Sequence, residues 1–127
     1  CIKRKELFEN WMRRKLRPRL EPVISKWVDI LGVNLTEWKI KKMKTKWGSC
    51  NKEAKRVWFN LELAKVDDYC LDYIVLHELA HLKIREHDKA FYKLCHHMAP
   101  HYAQSEFELR VYLTHLDAGG ERLWAAA

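Results

Sequence analysis

Glycine is scarce in this 127-residue chain, with only Gly32, Gly48, Gly119 and Gly120, and there are three prolines. So little of either excludes collagen-like repeats and long flexible linkers, and an apolar fraction of 48% places the chain outside the disordered class. No run approaches the roughly eighteen apolar residues of a membrane span, and no basic-then-apolar leader precedes a small-residue cleavage site. Neither a span nor a signal peptide is therefore expected. The four cysteines, Cys1, Cys50, Cys70 and Cys95, have no paired spacing and form no C-x-x-C. Free thiols in a reducing, cytoplasmic setting are expected over disulfides or a thiolate zinc site. The chain opens on Cys1 instead of Met, which reads as a processed product or a fragment.

Charge is plentiful and unevenly placed. Lys and Arg number 24 against 17 acids, a net of +7. Residues 1–60 hold 17 basic and 6 acidic side chains, or +11; residues 61–127 hold 7 and 11, or −4, together with all seven histidines. A basic half can attract nucleic acid, nucleotides or acidic peptides, although a solvated basic face is the simpler account.

Periodicity predicts an α+β domain over residues 1–127. Leu7, Phe8, Trp11, Leu16 and Leu20 recur at helical spacing. Pro18 and Pro22 predict a break, with one helix running to Leu16 or Arg17 and a second, with Pro22 in its first turn, carrying Ile24, Trp27, Val28 and Leu31 to Gly32. Residues 38–47 alternate with period two but slip parity at Lys41-Lys42, which predicts a β-bulge. Residues 56–61 form a second strand with Val57, Phe59 and Leu61 on one face, and the short polar stretch 51–55 closes an antiparallel hairpin. Asp67 or Asp68 caps a helix carrying Leu71, Ile74, Val75, Leu79 and Leu82. Asp88 opens another through Phe91, Leu94 and Cys95, closed by Pro100, and a last helix spans 103–116.

Inside the Asp68 helix the sequence reads His77-Glu78-Leu79-Ala80-His81, an H-E-x-x-H signature. Residues four apart share a helix face, so both imidazoles can address one zinc ion while Glu78 projects beside them. Chance occurrence in a chain this long is on the order of a few in a thousand. An open zinc site needs a third ligand, and His87 leads over His96, His97, His101 and Glu106. In an unbroken helix His87 would lie about 9 Å along the axis and roughly 240° round from His81, so the helix must stop soon after Leu82. Metzincins make that turn with glycine where this chain has Ile84.

Lys46-Trp47-Gly48-Ser49-Cys50, then Asn60-Leu61-x-Leu63, then His77-Glu78-Leu79-Ala80-His81-Leu82 with His87, Phe91-Tyr92 and Pro100-x-Tyr102, resembles the YgjP-like metallopeptidase domain, related to the SprT and WLM zincins. The resemblance runs from about residue 5 to 115, with Tyr92 where the family commonly has tryptophan. It implies a minimal zincin-like domain with N-terminal helices, a small antiparallel sheet, an active-site helix and C-terminal helices, and one zinc ion on His77, His81 and His87. Family members often carry a further β-rich N-terminal region, so the chain reads as the catalytic half of a longer protein.

The residue types then suggest a metallopeptidase with Glu78 as general base and Tyr102 as transition-state donor, ahead of His101 and Arg110. The 56–61 strand would pair with an extended peptide, with Asn60, Trp58 and Ser49 contacting substrate. Two alternatives stand beside it. One is a nucleotide phosphoanhydride hydrolase with the same metal; the other is a nucleic-acid-associated module whose metal is structural and closed by four protein ligands.

Overall fold

The computed structural model describes residues 2–44, 46–84, 89–98, 104 and 107–109, leaving out the side chains of Ile2, Tyr92 and residues 96–98. Helix α1 (Ile2–Leu31) is followed by strands β1 (Glu37–Lys41), β2 (Gly48–Asn51) and β3 (Arg56–Asn60), a 3-10 helix (Leu61–Lys65), and helices α2 (Asp68–Ala80) and α3 (Lys89–Met98). The architecture is α+β, as expected.

Two helices were expected before Gly32, but α1 is one helix with Pro18 and Pro22 inside it. Each proline removes an amide and strains a turn, at about 3 kcal/mol. Both sit on the exposed side, where the carbonyls of Arg14 and Pro18 that lose their partners face water. On the opposite side Met12, Leu16, Leu20, Ile24, Trp27 and Leu31 form an unbroken buried stripe. Burial of six such side chains at about 1.5–3 kcal/mol each outweighs the two interruptions. Leu7, Phe8 and Trp11, read as the start of this stripe, are instead exposed: Leu7 and Trp11 lie well round the helix from Leu16, while Phe8, on the face of Met12, lies beyond the N-terminal end of the buried stripe. Gly32 ends the helix at φ 65°, and the amides of Gly32 and Val33 both return to the Val28 carbonyl.

The sheet has order β1-β3-β2, with β1 parallel to β3 and β2 antiparallel to it. The expected single bulged strand over 38–47 is therefore wrong. The parity slip at Lys41 marks the end of a strand, and the chain re-enters the sheet only at Gly48. The turn at 51–56 lies where expected, but it joins β2 to β3. There Asn51 Oδ1 accepts from the Ala54 amide at 2.9 Å and Lys55 adopts φ 55°. Val57 and Phe59 point into the core as the alternation requires, while Leu61 is buried from the 3-10 helix.

Helix α2 is buried on nearly every side, from Cys70 and Leu71 through Tyr73–Ala80. A helix apolar all round belongs in the centre of a fold. Helix α1 covers one face, where Trp27 Nε1 donates to Asp72 at 3.0 Å. Arg19 binds the α2 entrance, donating to the carbonyls of Ala64 (3.2 Å) and Val66 (2.7 Å) and to Asp68 (2.9 Å). Asp67 occupies the N-cap position, but its side chain makes no capping bond. No helix among the described residues is long and apolar enough to cross a membrane.

Candidate metal centre

The last turn of α2 carries the H-E-x-x-H residues into the interior: His77 and Glu78 are 1% exposed and His81 3%. The helix stops at Ala80, and His81 takes its C-cap. The next amides fold back, Leu82 onto the Leu79 carbonyl and both Lys83 and Ile84 onto that of Ala80. The chain thus turns where a third ligand requires it to. It does so without glycine, since Lys55 is the sole non-glycine residue at positive φ among the described residues. Ile84 packs on the core there instead of supplying conformational freedom.

The turn also orients the second histidine. His81 Nδ1 lies 3.1 Å from the Ile84 carbonyl, which can only accept, so Nδ1 carries the proton and the ring's lone pair is on Nε2. His77 Nδ1 lies 3.5 Å from the Tyr73 hydroxyl, one helical turn earlier. The two imidazoles approach to 5.0 Å between centroids. Phe91, from α3, stacks on His81 at 4.4 Å and meets His77 edge-on at 5.0 Å, closing one side. Two buried imidazoles with backing partners are a donor set suited to zinc. Among the described residues no three His, Cys, Asp or Glu side chains surround a common point. His87, the expected third ligand, lies outside the described residues, as do His101, Tyr102, Glu106 and Arg110 and the side chains of His96 and His97.

Glu78 lies against the sheet, and its Oε1 is buried without a hydrogen-bond partner. Burial pushes its carboxyl up to about 8, with the Lys46 ammonium pulling the other way. An unpartnered buried carboxylate oxygen in the same helical turns as two imidazoles calls for a cation or a water to satisfy it, which fits the metal chemistry. Cys50 is no nucleophile: burial, with the Glu78 charge adding, pushes its thiol up to about 12.

A cavity of about 360 Å³ opens beside His81, lined by Ser49, Cys50, Asn51, Lys52, Glu53, Arg56 and Trp58. Ser49 and Trp58 pair across β2 and β3 and share this face. Lys41 Nζ stands 3.6 Å from the Trp58 ring centroid, and Lys52 Nζ donates to the Lys83 carbonyl at 3.3 Å. Asn60 is not on this wall. It is 3% exposed, and its Nδ2 donates to the carbonyls of Met43 (3.0 Å) and Lys46 (2.7 Å) while Oδ1 accepts from the Glu62 amide (3.0 Å). Nor can β3 offer a peptide-binding edge, because it is the central strand; the outer strand beside the site is β2.

Sequence reading missed Tyr73 and Phe91 as parts of the site. Tyr73 had a signal, standing four residues before His77 on the same helix face. Phe91 had its place in an amphipathic helix and in the Phe91-Tyr92 motif of the family resemblance, neither of which points to the histidines.

Three comparisons bear on the chain. The solved crystal structure of the metallopeptidase zymogen of Pyrococcus abyssi abylysin superposes with a TM-score of 0.67 at 21% identity, covering 75% of this chain and 95% of that one, which is a likeness of fold. A UTP pyrophosphatase of Escherichia coli (strain K12) is 57% identical over 53 residues, or 42% of this chain. That match spans about a third, 32%, of the curated relative. The YgjP-like metallopeptidase domain model matches residues 2–112, the whole of the helix, sheet and histidine arrangement described above. The chain therefore belongs to the YgjP-like metallopeptidase domain family, a family of metal-dependent hydrolases.

Proposed function

We propose that the chain is a zinc-dependent metallopeptidase with Glu78 as its general base. The observation that carries this is the buried Glu78 carboxyl, unpartnered at Oε1, in the same helical turns as the buried His77 and His81 and against Gly48 of the outer strand β2. His77 and His81, with His87 as third ligand, would hold one zinc ion, which when bound lowers the pKa of water toward 7 and polarises the bond under attack. Glu78 takes the proton of the attacking water and hands it to the leaving amine. Its seat in a dry pocket raises its proton affinity, which favours the first transfer. Strand β2 supplies backbone groups with which an extended peptide can pair, and Ser49 and Trp58 line the cleft that would receive its side chains. Tyr102 remains the candidate donor to the developing oxyanion. A cytoplasmic setting suits the free thiols of Cys50, Cys70 and Cys95.

A second reading has its own support. Lys52 and Arg56 line the cleft, Lys41 and Arg56 flank the Trp58 ring, and the E. coli relative is a UTP pyrophosphatase. Cationic side chains beside an aromatic face suit a nucleoside triphosphate, and Glu78 would serve a phosphoanhydride as it serves a peptide. Zinc-loaded protein incubated with a peptide library and, separately, with UTP separates the two. Peptide cleavage without diphosphate release supports the first reading, and diphosphate release alone supports the second. A Glu78→Gln variant with wild-type rates in both assays refutes both.

A further inference from the structure

We propose that Gly48 and Asn60 are positioning residues for Glu78, Gly48 by leaving the carboxyl room and Asn60 by fixing the segment that brings Gly48 there. The inference rests on Glu78 acting as the base, and it holds whether the substrate is a peptide or a nucleotide. A Cβ built on Gly48 would stand 2.8 Å from Glu78 Cγ, 3.0 Å from Cδ and 3.0 Å from Oε2. Carbon atoms settle at about 3.5–4.0 Å, so the two cannot share the space. Gly48 is not in the left-handed region, unlike Gly32, so room and not backbone conformation calls for glycine here. The three nearest atoms all belong to the Glu78 side chain and none to the backbone. An alanine at 48 would therefore turn the carboxyl aside and leave the strand in place.

The carboxyl needs such a seat because its Oε1 has no hydrogen-bond partner to orient it. Packing against the Gly48 backbone does that instead. Gly48 is held in turn from Asn60: the Asn60 amide donates to the Trp47 carbonyl at 2.9 Å, and Nδ2 donates to the carbonyls of Met43 and Lys46. Three carbonyls of the five residues before Gly48 are tied to one residue at the end of β3, directly after Phe59, which pairs with Gly48 in the ladder.

The test uses zinc-loaded wild type, Gly48→Ala, Glu78→Ala and the double variant, with kcat, KM, bound zinc and unfolding midpoint measured for each on the substrate that wild type turns over. Gly48→Ala is expected to fold, to retain its zinc, and to lose at least about tenfold in kcat with KM changed less than about twofold. In the Glu78→Ala background the same substitution is expected to cost nothing further, because the atoms it strikes are gone. Asn60→Asp, which loses both side-chain donors, should likewise lower kcat only where Glu78 is present. Wild-type kcat in Gly48→Ala, or equal losses in both backgrounds, overturns the proposal. If Gly48→Ala folds poorly, its midpoint should recover in the double variant, and failure to recover also overturns it. Wild-type kcat in Glu78→Ala would refute the base assignment itself, whereas an inactive Glu78→Ala beside a fully active Gly48→Ala refutes only the positioning.

Discussion

Replacing Asn60 by alanine separates a substrate contact from a structural clip. The side chain is buried and makes three hydrogen bonds, donating to Met43 O at 3.0 Å and Lys46 O at 2.7 Å and accepting from the Glu62 amide at 3.0 Å. Truncation would leave two carbonyls and one amide without these partners, in a place water reaches poorly. Each stranded group costs about 1–3 kcal/mol, and partial relaxation brings the total to about 3–5 kcal/mol. The loss of the cap on the 3-10 helix is contained in the third of these. Urea unfolding at fixed zinc should show that loss as a lower midpoint at unchanged slope, with a fall in Tm on the order of 10–20 °C. Asn60→Asp keeps the acceptor for Glu62 but sets a carboxylate against two carbonyls, so it should be no more stable than alanine. A loss below about 1 kcal/mol for Asn60→Ala, accompanied by a raised KM, would refute the clip and restore Asn60 as a substrate contact.

Glu78 predicts a pH dependence in protein freed of metal by chelation. Its folded pKa of about 8 lies above its usual 4.5, so the folded state binds the extra proton. Stability from this group is complete below about pH 4.5 and is lost as pH rises through 8, by about 3 kcal/mol at pH 7. Glu78→Gln should flatten that fall in urea unfolding at pH 5, 7 and 9, and parallel curves for the two proteins would contradict it. Cys50, pushed up to about 12, should react with a thiol reagent at pH 8 about a thousandfold more slowly than a free cysteine; labelling of the folded protein at the free-thiol rate, mapped to the Cys50 peptide, would contradict its burial. Reversing Lys52 and Arg56 to glutamate should raise KM for UTP at least about tenfold if the nucleotide reading holds, and leave KM for a neutral peptide within about twofold.

The sequence carried the chemistry further than the topology. H-E-x-x-H needs only residues four apart on one helix, and that helix formed with both histidines inward. The stop after it was required by His87, and it came at Ala80. What periodicity could not show was which competing interaction would prevail. Pro18 and Pro22 read locally as a break, but the stripe from Met12 to Leu31 is a property of the whole helix, and tertiary burial outweighed two missing amides. Alternation over 38–47 was real on both sides of the slip, yet pattern alone does not say whether a slip is a bulge or a gap. The bonds that settle it come from Asn60, beyond the next strand. Gly48 was visible only as part of the Lys46-to-Cys50 motif; that its missing Cβ is filled by Glu78, thirty residues away, is a long-range fact.

The helix that bears His77, Glu78 and His81 is also the centre of the hydrophobic core, with α1, the sheet and α3 around it. Its hydrogen bonds cannot open by fraying, as those of a surface helix do, without exposing the interior of the domain. Amides in its last turns should therefore exchange with solvent only through unfolding of the whole domain, while the turn at 81–84 and the cleft face exchange by local opening. The cavity beside His81 gives a metal ion or substrate an approach past that turn, against a backing that does not yield. Exchange of the ion then becomes a question of how the 81–84 turn moves, with the helix behind it as the fixed part.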